Sequence, residues 1–255
     1  MTKQNLTVTP LTAFGDNYVW IFPTGENSVA AVDPGEAEPV FDYLAQTGLA
    51  LSHILLTHHH MDHIGGAAAL KERFGARVVG FAGDAARLPE LDVPVKEGDV
   101  IELGAVEGSV LEVPGHTSGH VAYVIGDALF SGDALFSFGC GRLFEGTPPQ
   151  MWQSLLKLRA LPDDTRVFCA HEYTLANVAF ARALLPEDEE IRRVEADFQA
   201  QVNAGNPTPP TLLALEKRLN PFLRGDDPVL QHALGLEGAN PESVFADVRG
   251  RKDRF

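Results

Sequence analysis

The chain has 255 residues and carries 35 acidic against 20 basic side chains, a formal net charge of −15. That balance argues against a nucleic-acid binder, which needs a basic face to neutralise phosphates, and an anionic substrate would need a local positive patch. Two cysteines cannot define a disulfide scaffold, no apolar run reaches the ~18 residues that span a bilayer, and MTKQNLTVTP lacks the pattern of a leader, so a reduced cytoplasmic setting is the expectation.

The first half alternates short β-like runs with turns. Residues 18–22 and 29–32 read as strands, the second stopped by Asp33-Pro34-Gly35. A helix is expected over 38–47, an apolar strand over 53–57, a helix over 65–74 closed by Gly75, and a strand over 77–81. Residues 99–126 alternate in the manner of a sheet, strands follow at 128–131 and 166–170, and a helix lies near 150–160. From about 174 the period becomes helical: 174–185, then 187–203 starting at Pro186 with acids in its first turn, then a helix near 211–219. The expected organisation is a mixed α/β domain over 1–173 and a small helical domain over 174–255.

The chemistry concentrates in THHHMDHIGG, residues 57–66. On an extended segment leaving a strand, i and i+2 point the same way, so His58 and His60 can reach one ion. Asp62 and His63, placed just ahead of the helix expected from Gly65, can face a second. Three further candidates also follow strands: His116 in VPGHTSGH, Asp133 in LFSGDALF and His171 in FCAHEYT. Five imidazoles and two carboxylates suit two borderline divalent metals with one carboxylate bridging. Such a pair, holding a water between them, supplies hydroxide near neutral pH. His53, His59, His120 and His232 are expected to be surface or satisfied core residues, and Asp33 to stop a turn or support a ligand histidine. Cys140, in a Gly-Cys-Gly turn without an assigned base, is expected to be a small buried side chain rather than a nucleophile.

The HxHxDH pattern at His58–His63 resembles the metallo-β-lactamase superfamily. The resemblance implies an αββα sandwich with metals at one edge. SGDALFSFGCGRLFEG (131–146), AHEYTLAN (170–177), NPFLR (220–224) and RGRKDRF (249–255), with DNYVW at 16–20, are similar to the glyoxalase II, or hydroxyacylglutathione hydrolase, family. That family hydrolyses S-D-lactoylglutathione to D-lactate and glutathione, the second step of methylglyoxal detoxification. The resemblance implies that His58, His60 and His116 bind one metal, that Asp62, His63 and His171 bind the other, and that Asp133 bridges them around the reactive water. Zinc is the first expectation, with iron and manganese also found in the family. It further implies glutathione contacts at Arg142, Tyr173, Arg249 and Lys252, the basic tail facing the glycine carboxylate through charge-assisted hydrogen bonds. Phe144 stands where some members have tyrosine, which removes one hydroxyl contact. The nearest alternative is a persulfide dioxygenase with one iron, or another hydrolase of the same fold; GCGRLFEG and the long helical C-terminus favour the hydroxyacylglutathione hydrolases. A monomer without membrane or nucleic-acid partners completes the expectation.

Overall fold

The computed structural model describes residues 5–255. Residues 1–4, the start of the stretch expected to lack a leader, lie outside the described residues. The chain divides into two compact units, residues 1–112 with 119–132, and residues 113–118 with 133–255.

In the first unit, strands β1 (Thr9–Ala13), β2 (Asn17–Gly25) and β3 (Ser28–Val32) are antiparallel neighbours. Helix α1 (Glu38–Thr47) then leads into β4 (Ala50–Leu55), parallel to β3. The one-turn helix α2 (Met61–Ile64) and helix α3 (Ala67–Phe74) lead into the parallel strands β5 (Arg77–Phe81) and β6 (Val93–Val95). Four more strands, β7 (Val100–Leu103), β8 (Val106–Glu112), β9 (Val121–Ile125) and β10 (Ala128–Gly132), form an antiparallel meander.

Alternation along the strands sorts these residues into layers. Val19, Ile21, Ala31, Ile54 and Val78 pack with Val40 and Leu44 of α1 and with Ala67 and Leu70 of α3. The opposite face of the same sheet meets the meander: Phe22 stacks on Phe130 at 5.3 Å, and the Tyr123 hydroxyl donates to the Leu56 carbonyl at 2.8 Å. Helix, sheet and sheet are thus three of the four expected layers, and β2 and β3 read as nearly continuous apolar runs because both faces are covered.

In the second unit, β11 (Leu135–Phe136) and β12 (Gly139–Cys140) make a short hairpin. Helix α4 (Pro148–Arg159), strand β13 (Arg166–Cys169), helices α5 (Thr174–Leu184) and α6 (Glu189–Asn203), strand β14 (Thr211–Leu212), and helices α7 (Leu213–Leu219), α8 (Pro228–Leu234) and α9 (Pro241–Lys252) follow. The helices close over an aromatic core in which Trp152 meets Phe245 and Phe180 meets Phe222 at ring separations of 6.0 Å.

Several elements differ from expectation for local reasons. Helices α8 and α9 are not among the expected elements: 228–234 and 241–252 are helical, and Arg249 within α9 is buried. Helix α6 starts at Glu189 rather than Pro186, because the Asp188 carboxylate accepts from Glu190 N and Ile191 N and so makes Asp188 the cap. Residues 211–212 pair with β13 before α7 begins at Leu213. Asp62 and His63 lie inside a helical turn, closed by His63 N to His60 O at 2.9 Å, rather than ahead of one.

Buried within the second unit, Glu216 on α7 fastens the hairpin. Its carboxylate accepts from Thr211 Oγ1 (2.6 Å), Phe138 N (2.9 Å) and Asn220 Nδ2 (2.9 Å), and Asn220 also donates to the Gly139 carbonyl (3.1 Å). Complete burial pushes the Glu216 carboxyl up to about 7, against the opposing pull of those three donors. A carboxyl raised in the folded state favours folding most below its unfolded value, and that contribution fades as pH rises through about 7. Glu216→Gln is expected to flatten the fall in stability between pH 5 and 8, by about 3 kcal/mol at most. Denaturant unfolding at both pH values measures it, and an unchanged pH slope would show that Glu216 does not titrate in this window.

Candidate metal and substrate site

Each unit carries its own set of donors. In the first, β3 and β4 run parallel and end together, so residues just beyond their carboxyl ends are neighbours, the usual place for a site in such sheets. Asp33 follows β3, and Thr57 and His58 follow β4. Asp33 has the left-handed backbone (φ 51°) that carries its side chain across to Thr57 and His63. Asp33 Oδ1 accepts from Thr57 N (2.8 Å), while Oδ2 accepts from Thr57 Oγ1 (2.7 Å) and lies 3.0 Å from His63 Nδ1.

Those bonds fix two tautomers. His63 donates its Nδ1–H to Asp33, which leaves the lone pair on Nε2. The single hydroxyl proton of Thr57 is directed to Asp33, so Thr57 Oγ1 accepts from His58 Nδ1 at 3.1 Å, and the His58 lone pair also falls on Nε2. His60 Nδ1 sits 3.0 Å from His58 Nε2, and the His58 and His63 rings are 4.1 Å apart. A tetrahedral cation with bonds of about 2.0–2.1 Å to nitrogen spaces its ligands by about 3.3 Å. The His58 and His60 imidazoles are therefore spaced for a shared ion, and Asp33 holds His63 directly and His58 through Thr57. Asp62 Oδ2 lies 3.5 Å from His63 Nε2 and accepts from Asn17 Nδ2 at 3.1 Å. Gly35 is required beside it, since a Cβ there would come within 1.9 Å of the Asp62 carbonyl.

Of the remaining histidines here, His59 turns aside to Asp84 (3.1 Å), and His120 is buried and stacked on His58 at 4.7 Å. His120 is buried, as expected of a core histidine, but neither its stacking on His58 nor the bond from Asn17 to Asp62 could be read from the spaced motif. Their roles follow only from tertiary contact.

In the second unit Asp133 lies between two imidazoles: Oδ2 is 3.3 Å from His116 Nε2 and Oδ1 is 3.4 Å from His171 Nε2. All three side chains are buried. His116 donates Nδ1–H to the Arg142 carbonyl at 2.8 Å, which places its lone pair on Nε2, toward Asp133. Glycine is needed at 141, because a Cβ there would meet the Asp133 carbonyl at 2.0 Å and His116 Nδ1 at 2.9 Å. His171 stacks face to face on Tyr173, with centroids 4.7 Å apart. All seven motif residues thus fall into two donor sets, four in the first unit and three in the second, and their chemistry fits a pair of divalent metal ions.

The second unit also holds a cavity of about 440 Å³. His116, Asp133, Arg142, Tyr173, Arg249 and Lys252 all line it, so the four expected substrate contacts share one space with two of the metal candidates. Burial and the neighbouring Arg249 and Arg142 cations press the Lys252 ammonium down to about 8. This is the local positive patch that an acidic chain needs for an anionic ligand. Arg249 is already engaged, donating to the Cys140 carbonyl (2.8 Å) and Asp253 (3.0 Å), so it braces the hairpin as well as lining the cavity. Cys140 also lines it, but burial pushes its thiol up to about 11, which leaves it protonated and a poor nucleophile. Phe144, edge-on to His116 at 5.2 Å, is a further lining residue that hydroxyl counting had set aside.

Comparison with known proteins matches these features. The sequence model of the metallo-β-lactamase superfamily covers residues 11–171, and that of the hydroxyacylglutathione hydrolase C-terminus covers residues 172–255. The chain is 47% identical over 255 residues to the hydroxyacylglutathione hydrolase of Rhodospirillum rubrum, covering 99% of this chain and 100% of that one. It is 49% identical over 243 residues to that of Methylococcus capsulatus, covering 94% and 95% respectively. Among solved structures, ETHE1 from Myxococcus xanthus superposes with a TM-score of 0.66 at 28% identity, covering 98% of both chains. TTHA1623, in a di-iron-bound form, gives 0.61 at 29%, covering 85% of this chain and all of the other.

Proposed function

We propose, from the premise that this chain belongs to the metallo-β-lactamase superfamily and within it to the hydroxyacylglutathione hydrolases, that it hydrolyses the thioester of S-D-lactoylglutathione and related 2-hydroxyacylglutathiones. The observation that carries this reading is the cationic cavity, in which Arg142, Arg249 and Lys252 stand with Tyr173 beside His116 and Asp133. A glutathione conjugate is anionic, and its carboxylates meet guanidinium and ammonium donors there.

In this reading, as the family resemblance implies, His58, His60 and His116 would hold one ion and Asp62, His63 and His171 the other, and Asp133 would serve both. Two divalent ions, zinc before iron or manganese on donor chemistry, would supply an activated water and an electrophile for the thioester carbonyl. The protein's own work is orientation. Asp33 and Thr57 set the histidine tautomers, Asn17 steadies Asp62, and the Arg142 carbonyl aims His116. The division at residue 173 is then one of task rather than of compactness: metal ligands up to His171, and the glutathione contacts Arg249 and Lys252 beyond it. A cytoplasmic monomer is part of the same proposal: two cysteines without a disulfide fit a reducing compartment, and the acidic charge disfavours nucleic acid as a partner.

Purified metal-replete protein is expected to consume S-D-lactoylglutathione, followed by loss of thioester absorbance, with two ions per chain by elemental analysis. Absence of turnover would overturn the reading, and a single iron with oxygen consumption would favour the dioxygenase. The KM for this substrate should be flat below pH 7 and climb above about 8, as Lys252 loses its proton and with it the affinity for a carboxylate. A KM independent of pH up to 9 would remove Lys252 from the binding set.

A further inference from the structure

Among the cations lining the cavity, Lys252 carries its charge on a flexible four-carbon stem, so something must hold its ammonium in place. The structure surrounds that ammonium. Lys252 Nζ donates to the Ala176 carbonyl at 2.8 Å. It also lies 5.2 Å from the Phe180 ring centroid and 5.3 Å from that of Phe255. The two rings meet edge to face, 5.3 Å apart with planes at 66°. Phe180 is buried on α5, whereas Phe255 is 66% exposed at the position after the last turn of α9. An apolar ring left in solvent is ordinary, but one placed on a lysine that lines a ligand cavity has a specific use.

We propose that Phe255, with Phe180 beside it, is a positioning residue for Lys252: the paired rings hold the ammonium toward the cavity so that it meets the carboxylate of an acylglutathione. The inference rests on the reading of Lys252 as a substrate contact. An ammonium has three donors and no acceptor. One is spent on Ala176, the negative ring faces attract the charge by cation–π interaction, and the freedom lost on ordering the stem is lost before substrate arrives. Phe255 touches no reacting atom, so its removal should act on binding and leave the chemical step alone.

Steady-state kinetics with S-D-lactoylglutathione test it on four variants of the metal-replete enzyme. Phe255→Leu keeps the bulk and deletes the π face; it should raise KM about two- to five-fold, the range of an exposed cation–π contact, with kcat unchanged. Phe255→Tyr should restore the parent KM. Lys252→Met should raise KM further, and Phe255→Leu added to Lys252→Met should change nothing more, as a coupled pair requires. Exposure of Phe255 means that Phe255→Leu should melt at the parent temperature. If Lys252→Met raises KM and Phe255→Leu does not, the positioning role is wrong and the proposed function stands. If Phe255→Leu has the same effect with and without Lys252, the ring acts on substrate by itself and the inference is overturned. If Lys252→Met leaves KM unchanged, Lys252 is no substrate contact and the inference falls with that part of the reading.

Discussion

Asp133→Asn is expected to lower kcat/KM by about a thousandfold or more and to bring the metal content of purified protein below two ions per chain. The carboxylate stands 3.3 Å from His116 Nε2 and 3.4 Å from His171 Nε2, with one oxygen toward each. Those two imidazoles belong to different ions in the proposed assignment, so Asp133 is positioned to serve both. Asparagine has nearly the same size and keeps one oxygen acceptor, but it replaces the other oxygen with an N–H donor that cannot coordinate. It also removes a negative charge from a buried place where two cations are to sit, and buried charges need their partners. The scale of the loss follows from what paired ions do for water, whose pKa falls from 15.7 to about 7 when a divalent ion activates it. Elemental analysis gives the metal content, turnover gives the rate, and circular dichroism verifies that the fold is retained. Two ions per chain with kcat/KM within about tenfold of the parent would remove Asp133 from the bridging position.

The ease with which the site was read from sequence differs sharply between its two donor sets. His58, His60, Asp62 and His63 fall within six residues, and their spacing after an apolar run carried the chemistry directly. His116, Asp133 and His171 are lone residues, legible only because each follows a strand and because the flanking stretches resemble a known family. The supporting groups were harder. Asn17 reaches Asp62 from 45 positions away, and His120 stacks on His58 from 62 positions away. Nothing in local periodicity can announce such contacts, which arise from the packing of elements distant in sequence. The fold shows the same division. Buried strands and amphipathic helices declared themselves through apolar period, whereas α9 did not, because its sequence PESVFADVRGRK mixes buried and charged positions and contains a glycine. RGRKDRF therefore reads as a basic tail facing a carboxylate, with no helix assigned to it. Packing overrides that composition: Val244, Phe245, Val248 and Arg249 are all buried, and a residue chosen for its charge turns out to brace the Cys140 hairpin as well.

Asp33→Asn should weaken metal binding by 10- to 100-fold, the usual cost of losing a carboxylate behind a ligand histidine. The substitution is unusually clean. Asp33 sits at φ 51°, a conformation that asparagine tolerates better than other substitutes, so the backbone is not newly strained. The asparagine oxygen can still accept from Thr57 N in place of Oδ1. What changes is the atom now called Oδ2, which accepts from Thr57 Oγ1 and faces His63 Nδ1. An amide N–H there confronts two donors. Thr57 can turn its proton elsewhere, but His63 can avoid the clash only by moving its own proton from Nδ1 to Nε2. That proton then occupies the lone pair expected to bind metal. The same rearrangement frees the Thr57 proton to approach His58 Nδ1 and drives the proton of His58 toward Nε2, the nitrogen 3.0 Å from His60 Nδ1. One oxygen-to-nitrogen exchange thus reverses the tautomer of two ligands without emptying any space. Metal titration of the stripped protein should show a lower affinity and a loss of kcat that excess metal restores in part. If Asp33→Asn binds two ions with the parent affinity, the tautomers are not set by Asp33, and its part in the site reduces to ending β3.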